Sequence, residues 1–128
     1  MIRRFFAIFC LAISASLLLC AAASPHWDHI PQKDHIRVNP FATDADSVAA
    51  GALLYKDHCA QCHRSDASGD GRKKPSLRTE RIKSATDGDL EWFLRQGDLR
   101  RGMPSWSSLP EAQRWQVVSY LRSIQSQP

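Results

Sequence analysis

The five residues Cys59-Ala60-Gln61-Cys62-His63 constrain this chain more than any other feature. Two thiols separated by two residues can close a redox disulfide, hold a zinc ion or be consumed in attaching a haem, and the adjacent histidine bears on all three. A thioredoxin-like pair would follow a strand in a βαβ setting, whereas a helical pattern leads into this one. Zinc needs about four ligands, and the neighbourhood offers Cys59, Cys62 and either His63 or His58, with no second cysteine pair. C-x-x-C-H is the attachment signature of a c-type haem, in which the thiols bond to the porphyrin vinyl groups and the next histidine supplies the proximal iron ligand. In a helical turn this spacing sets both sulfurs along one macrocycle edge, with His63 beneath the iron. Haem is the favoured reading; the redox dithiol and zinc are the alternatives.

The other two cysteines sharpen this. The chain begins MIRRFFAIFCLAISASLLLCAAAS, with two arginines, an uncharged apolar run and then Ala21-Ala22-Ala23. That order is expected of a secretory signal over residues 1–23, cleaved after Ala23, and places the protein in the periplasm. The alternative is an uncleaved membrane anchor, since Phe5 to Ala23 approaches the roughly 20 residues that span a bilayer. Leu19 disfavours lipid attachment at Cys20, and the residues flanking Arg3-Arg4 fit a twin-arginine signal poorly. Export would normally turn paired cysteines into disulfides. Cys10 and Cys20 leave with the signal, so Cys59 and Cys62 have only each other or a cofactor. Of 17 basic and 13 acidic residues, the signal removes Arg3 and Arg4 and no acid, which leaves a net charge of +2. So mild a charge argues against nucleic acid as a partner.

With 128 residues the chain has the length of one domain. Residues 24–46 contain Pro25, Pro31 and Pro40 without a sustained period, which predicts an extended leader. A first helix is expected from Ser47 to about His58, capped by Asp46 or Ser47. Residues 64–85, broken by Gly69, Gly71 and Pro75, read as loop. Thr86 caps a second helix with Asp89 at its third position, and Gly97 stops it. Ser108-Leu109-Pro110-Glu111 announces a third as a capping box, followed by Trp115, Val118, Leu121 and Arg122 at helical spacing. No segment alternates like a strand. The expected fold is all-α, with about three main helices in residues 47–126 packed around a covalent haem, since so small a domain has little core of its own. Leu77, Leu99 and the aromatic residues are candidates to pack on its faces.

Once Met1 leaves with the signal, Met103 is the single methionine. It lies in Leu99-Arg100-Arg101-Gly102-Met103-Pro104-Ser105-Trp106, where the proline stiffens the segment that presents the thioether. Methionine as sixth ligand raises the reduction potential, because soft sulfur favours ferrous iron. His26, His29, His35 and His58 are the alternative ligands.

CAQCH after a short helix, GMPSW about forty residues on, and the closing helix WQVVSYLRSI together resemble the class I cytochrome c family, especially its small single-haem bacterial members. The resemblance spans about residues 47–126. It implies His63 and Met103 as axial ligands, and a packing contact of Gly51 and Tyr55 on the first helix against Tyr120 and Leu121 on the last. It also implies a proline whose carbonyl orients the ligand histidine. Pro75 is the candidate, although Lys74 stands where the family has glycine. Gly69-Asp70-Gly71 resembles the family's glycine-rich turn. Leu77 and Trp106 are candidates for the haem surroundings, and Trp92 for the core.

A haem iron with both axial positions filled does not bind oxygen or peroxide, so the expected activity is one-electron transfer between redox proteins rather than enzymatic turnover. Arg72, Lys73, Lys74, Arg78, Arg81, Lys83, Arg95, Arg100 and Arg101 could steer an acidic partner. The rival is a solvated surface, with Asp70, Glu80, Asp87, Asp89, Glu91 and Asp98 interspersed. Two other functions stay open: a ligand-binding or catalytic haem protein in which Met103 holds the iron weakly, and a haem-free thiol oxidoreductase.

Overall fold

A computed structural model describes residues 26–125 apart from Lys73, and of His26 its backbone alone. The predicted signal, residues 1–23, lies outside these. Among the described residues six helices follow one another: α1 (Gln32–His35), α2 (Ala45–His58), α3 (Ala60–His63), α4 (Glu80–Ser84), α5 (Asp87–Gln96) and α6 (Glu111–Gln125). Single 3-10 turns stand at His26–His29 and Leu99–Arg101. Among the described residues there is no strand, only an isolated bridge between Asp98 and Met103. The all-α expectation holds, and no helix of the described residues is long and apolar enough to cross a membrane.

Side-chain caps fix where the long helices start. Asp44, not Asp46 or Ser47, caps α2, accepting from the N–H groups of Asp46 (3.3 Å) and Ser47 (3.2 Å). The Ser47 hydroxyl donates to the same carboxylate at 2.5 Å and holds the Asp44 carboxyl below the usual range. Thr86 and Asp89 form the reciprocal capping box expected for α5. Helix α6 begins at Glu111, after the predicted Ser108 cap. The Pro110 carbonyl takes the N–H groups of Gln113 and Arg114, and the Glu111 carboxylate turns to Arg37 and the Trp115 indole rather than back along the chain. Within the segment read as loop, Thr79 caps the short helix α4, which buries Ile82.

Helix α2 crosses α6 closely enough to exclude a side chain at Gly51: a Cβ there would lie 1.9 Å from the Gln116 carbonyl oxygen. The Tyr55 and Tyr120 rings meet 5.1 Å apart one turn further on. Around this crossing Leu90, Leu94, Trp115, Val117, Val118, Leu121 and Ile124 form the buried core. Arg122 locks α6 to the start of α5, with Nε 2.7 Å from Asp87 and Nη2 2.5 Å from the Ala85 carbonyl. Because a backbone carbonyl cannot step aside as a side chain can, Gly51→Ala should force the two helices apart. We expect a loss of about 2 kcal/mol and a fall in Tm of about 10 °C, read by thermal denaturation.

The leader differs from expectation. Its prolines suggested an extended tether, yet residues 26–39 are folded onto α5 and α6. Pro31 serves as the N-cap of α1, its carbonyl accepting from Asp34 and His35. Asp34 pairs with Arg95 at 2.5 Å, His35 Nδ1 meets Asp89 at 2.9 Å, and Arg37 reaches Glu91 at 2.8 Å while lying over the Trp115 ring. The buried Asn39 amide donates to the Trp115 carbonyl and the Ser119 hydroxyl, and Trp27 stacks on Phe93 at 4.5 Å. Charged and polar groups fasten this segment, which is why hydrophobic periodicity did not find it.

Candidate haem site

Helix α2 runs directly into the cysteine motif. The Cys59 N–H donates to the Tyr55 carbonyl at 2.8 Å, and the Cys59 carbonyl then accepts from Cys62 (3.0 Å) and His63 (2.9 Å). These bonds close the single turn α3, so both thiols and the imidazole leave one short stretch of backbone. Both cysteines are half-buried free thiols. Burial first, and the neighbouring Cys62 second, push the Cys59 thiol up to about 11. A redox dithiol needs a stabilised thiolate at its attacking cysteine, and this environment does the reverse. Among the described residues no group of three or more His, Cys, Asp or Glu side chains is placed to hold a metal ion.

His63 Nδ1 lies 2.9 Å from the Pro75 carbonyl oxygen. A carbonyl only accepts, so Nδ1 is the donor in this contact, and in the neutral imidazole the lone pair lies on Nε2. Among its described residues, the loop that returns Pro75 to His63 turns through four of positive φ: Arg64, Ala67, Gly69 and Gly71. Gly69 is required by space as well, since a Cβ would lie 2.3 Å from the Lys74 carbonyl oxygen. The Asp70 carboxylate accepts from the N–H groups of Arg72 and Lys74, both at 2.9 Å. Lys74, in the place of the family's glycine, sets its Nζ 3.0 Å from Cys62 Sγ. Leu77 comes next in the loop, its N–H on the Ala67 carbonyl and its side chain half-buried against the core.

Met103 sits across a tight loop closed by two bonds with Asp98, each 2.9 Å, around the 3-10 turn and a left-handed Gly102. Its side chain is half-buried against the core. Trp106 anchors the far end of this segment: its N–H donates to the Leu94 carbonyl at 2.9 Å, and its ring lies 4.9 Å from that of His58, the residue before Cys59. Trp92 is buried as expected, whereas Leu99 stands 77% exposed on the turn.

A family model described as cytochrome c oxidase, cbb3-type, subunit III matches residues 46–121. The chain belongs to this family of c-type cytochromes. It is also 30% identical over 136 aligned positions to cytochrome c550 of Pseudomonas aeruginosa, an alignment that covers 89% of this chain and 91% of the relative. Haem is the cofactor of such a cytochrome and electron transfer between redox partners its class of function. The donor set fits haem c: two thiols on one helical turn, an imidazole with one nitrogen already committed, and a thioether in a separate loop. All of these residues fall within the matched span, and most of the leader precedes it.

Two features of this cytochrome escaped sequence reasoning. The Tyr55 hydroxyl donates to the Arg64 carbonyl at 2.8 Å, and Arg64 itself adopts φ 65° and ψ 160°. Nothing in an arginine codon signals a left-handed backbone.

Proposed function

We propose that the protein is an exported one-electron carrier holding a single haem c through Cys59 and Cys62, with His63 and Met103 as axial ligands. When bound, the haem supplies an iron that cycles between ferric and ferrous. The observation that carries this reading is the contact between His63 Nδ1 and the Pro75 carbonyl, which orients the ring and leaves Nε2 as the donor. The bridge to Asp98 presents Met103 in a defined loop, and the packing of Trp106 against His58 ties that loop to the attachment turn. Leu77 and Trp106 serve as apolar walls that keep water from the iron. The signal at residues 1–23 supports delivery to the periplasm.

Arg72, Arg78, Arg81, Arg100 and Arg101 are exposed and supply the basic surface for an acidic partner. Arg95 does not belong with them, because it is bound to Asp34 and Glu91 beneath the leader. Lys73 lies outside the described residues.

Absorption spectra of the purified exported protein test the reading. Sharp c-type bands on reduction, surviving denaturation and unchanged by carbon monoxide, are expected of a covalent haem with both axial positions filled. A carbon monoxide shift in the native ferrous form would instead support the ligand-binding rival, and a colourless protein would end the haem reading.

A further inference from the structure

We infer that the Tyr55 hydroxyl is a positioning group for the His63 imidazole, acting by holding Arg64 in its left-handed conformation. The inference rests on His63 as the iron ligand. Arg64, immediately after that histidine, has φ 65° and ψ 160°, a region that glycine alone enters without strain. The Arg64 side chain does not account for it, being 64% exposed with a loose 3.8 Å ion pair to Asp66. The backbone does. The Arg64 N–H donates to the Ala60 carbonyl at 2.8 Å, and its carbonyl accepts from the Ala67 N–H at 3.1 Å and from the Tyr55 hydroxyl at 2.8 Å.

Tyr55 therefore grips both ends of the cysteine motif. Its backbone carbonyl takes the Cys59 N–H, and its hydroxyl takes the residue after His63. The side chain is 1% exposed and packed on Tyr120, so the grip is fixed by the α2–α6 crossing. The direction in which the chain leaves Arg64 sets the path of residues 65–75. The His63 carbonyl receives the Gly69 N–H at 3.0 Å, and the loop delivers the Pro75 carbonyl to Nδ1. Without the hydroxyl, Arg64 relaxes toward negative φ, the imidazole plane turns and the bond to Pro75 lengthens. A weaker Nδ1 bond makes the imidazole a poorer electron donor and ferric iron less favoured.

The test uses haem-loaded Tyr55→Phe, Arg64→Gly and the double substitution. It reads three things: the hyperfine-shifted haem-methyl resonances of the ferric protein, which report the imidazole plane, the reduction potential, and the folding equilibrium. Tyr55→Phe is expected to rearrange the methyl shifts, raise the potential and lower the folding constant by about tenfold. Arg64→Gly alone should leave the methyl pattern in place, and added to Tyr55→Phe it should restore most of that pattern, because glycine enters this conformation without strain and the remaining Ala60 and Ala67 bonds suffice to keep it there. Methyl shifts and potential unchanged in Tyr55→Phe would overturn the inference whatever happens to stability. Should Tyr55→Phe fail to load haem, rescue by Arg64→Gly supports the inference and failure to rescue overturns it. A parent protein without the spectrum of an imidazole-ligated haem removes the reading of His63 itself, and does so before any substitution is made.

Discussion

Met103→His is expected to lower the reduction potential by about 0.2–0.3 V, a fraction of the roughly 0.8 V range that axial ligation spans. The cause lies in the ligand chemistry. A thioether is soft and favours ferrous iron, while imidazole is a stronger donor and favours ferric. The loop should tolerate the exchange, because Asp98 and residue 103 are joined through backbone groups that any residue but proline keeps. Trp106 remains bound to the Leu94 carbonyl and to His58. Met103→Ala makes the complementary case, since it leaves the sixth position without a protein ligand and should allow carbon monoxide to bind the ferrous form. Redox titration of both variants beside the parent decides the matter. A potential unchanged in Met103→His would assign Met103 to the core and return the sixth position to the remaining histidines.

What the sequence made legible was what local chemistry dictates. CAQCH fixed the turn and Thr86 with Asp89 fixed the start of α5, while the crossing at Gly51, Tyr55 and Tyr120, which the structure forms, was implied by the family resemblance. What stayed hidden depended on partners far away in the chain. Asp34, Arg37 and Asn39 read as a polar leader because their partners, Arg95, Glu91, Trp115 and Ser119, lie more than fifty positions on. The cap at Glu111 failed for a similar reason: its carboxylate answers Arg37 rather than its own helix start. Arg95 was placed among steering charges because sequence shows sign and not burial. Pro75 was found through the resemblance alone, and the strain at Arg64 through neither route, since no residue type at that position announces a left-handed backbone.

Glu91 carries the heaviest consequence of those distant contacts. Its side chain is fully buried, with Arg114 Nε at 2.7 Å on one oxygen and Arg37 Nη1 at 2.8 Å and Arg95 Nε at 3.5 Å on the other. Replacing the carboxylate by an apolar group leaves Arg114, itself 7% exposed, with a buried charge answered by the Leu109 carbonyl. Arg95 Nε, which is buried without a hydrogen bond, loses the nearby carboxylate that compensates it. Breaking a buried pair from one side costs about 3–5 kcal/mol, more than the pair contributes when whole, because an uncompensated charge remains. Glu91→Leu is therefore expected to lose about 3–5 kcal/mol in chemical denaturation, and Arg114→Leu added to it should recover part of that loss, since the stranded cation goes with it. The leader should be the first part released, as Arg37 and Arg95 are its charged anchors, and limited proteolysis within residues 26–44 would report it. Because Leu94, one turn beyond Glu91, holds the N–H of Trp106, movement of α5 should reach the Met103 loop and admit carbon monoxide to the ferrous protein. Cleavage of the leader with the carbon monoxide behaviour of the parent would show that α5 keeps its place through Leu90, Leu94 and the core alone, and that the charged cluster serves the leader and not the iron site.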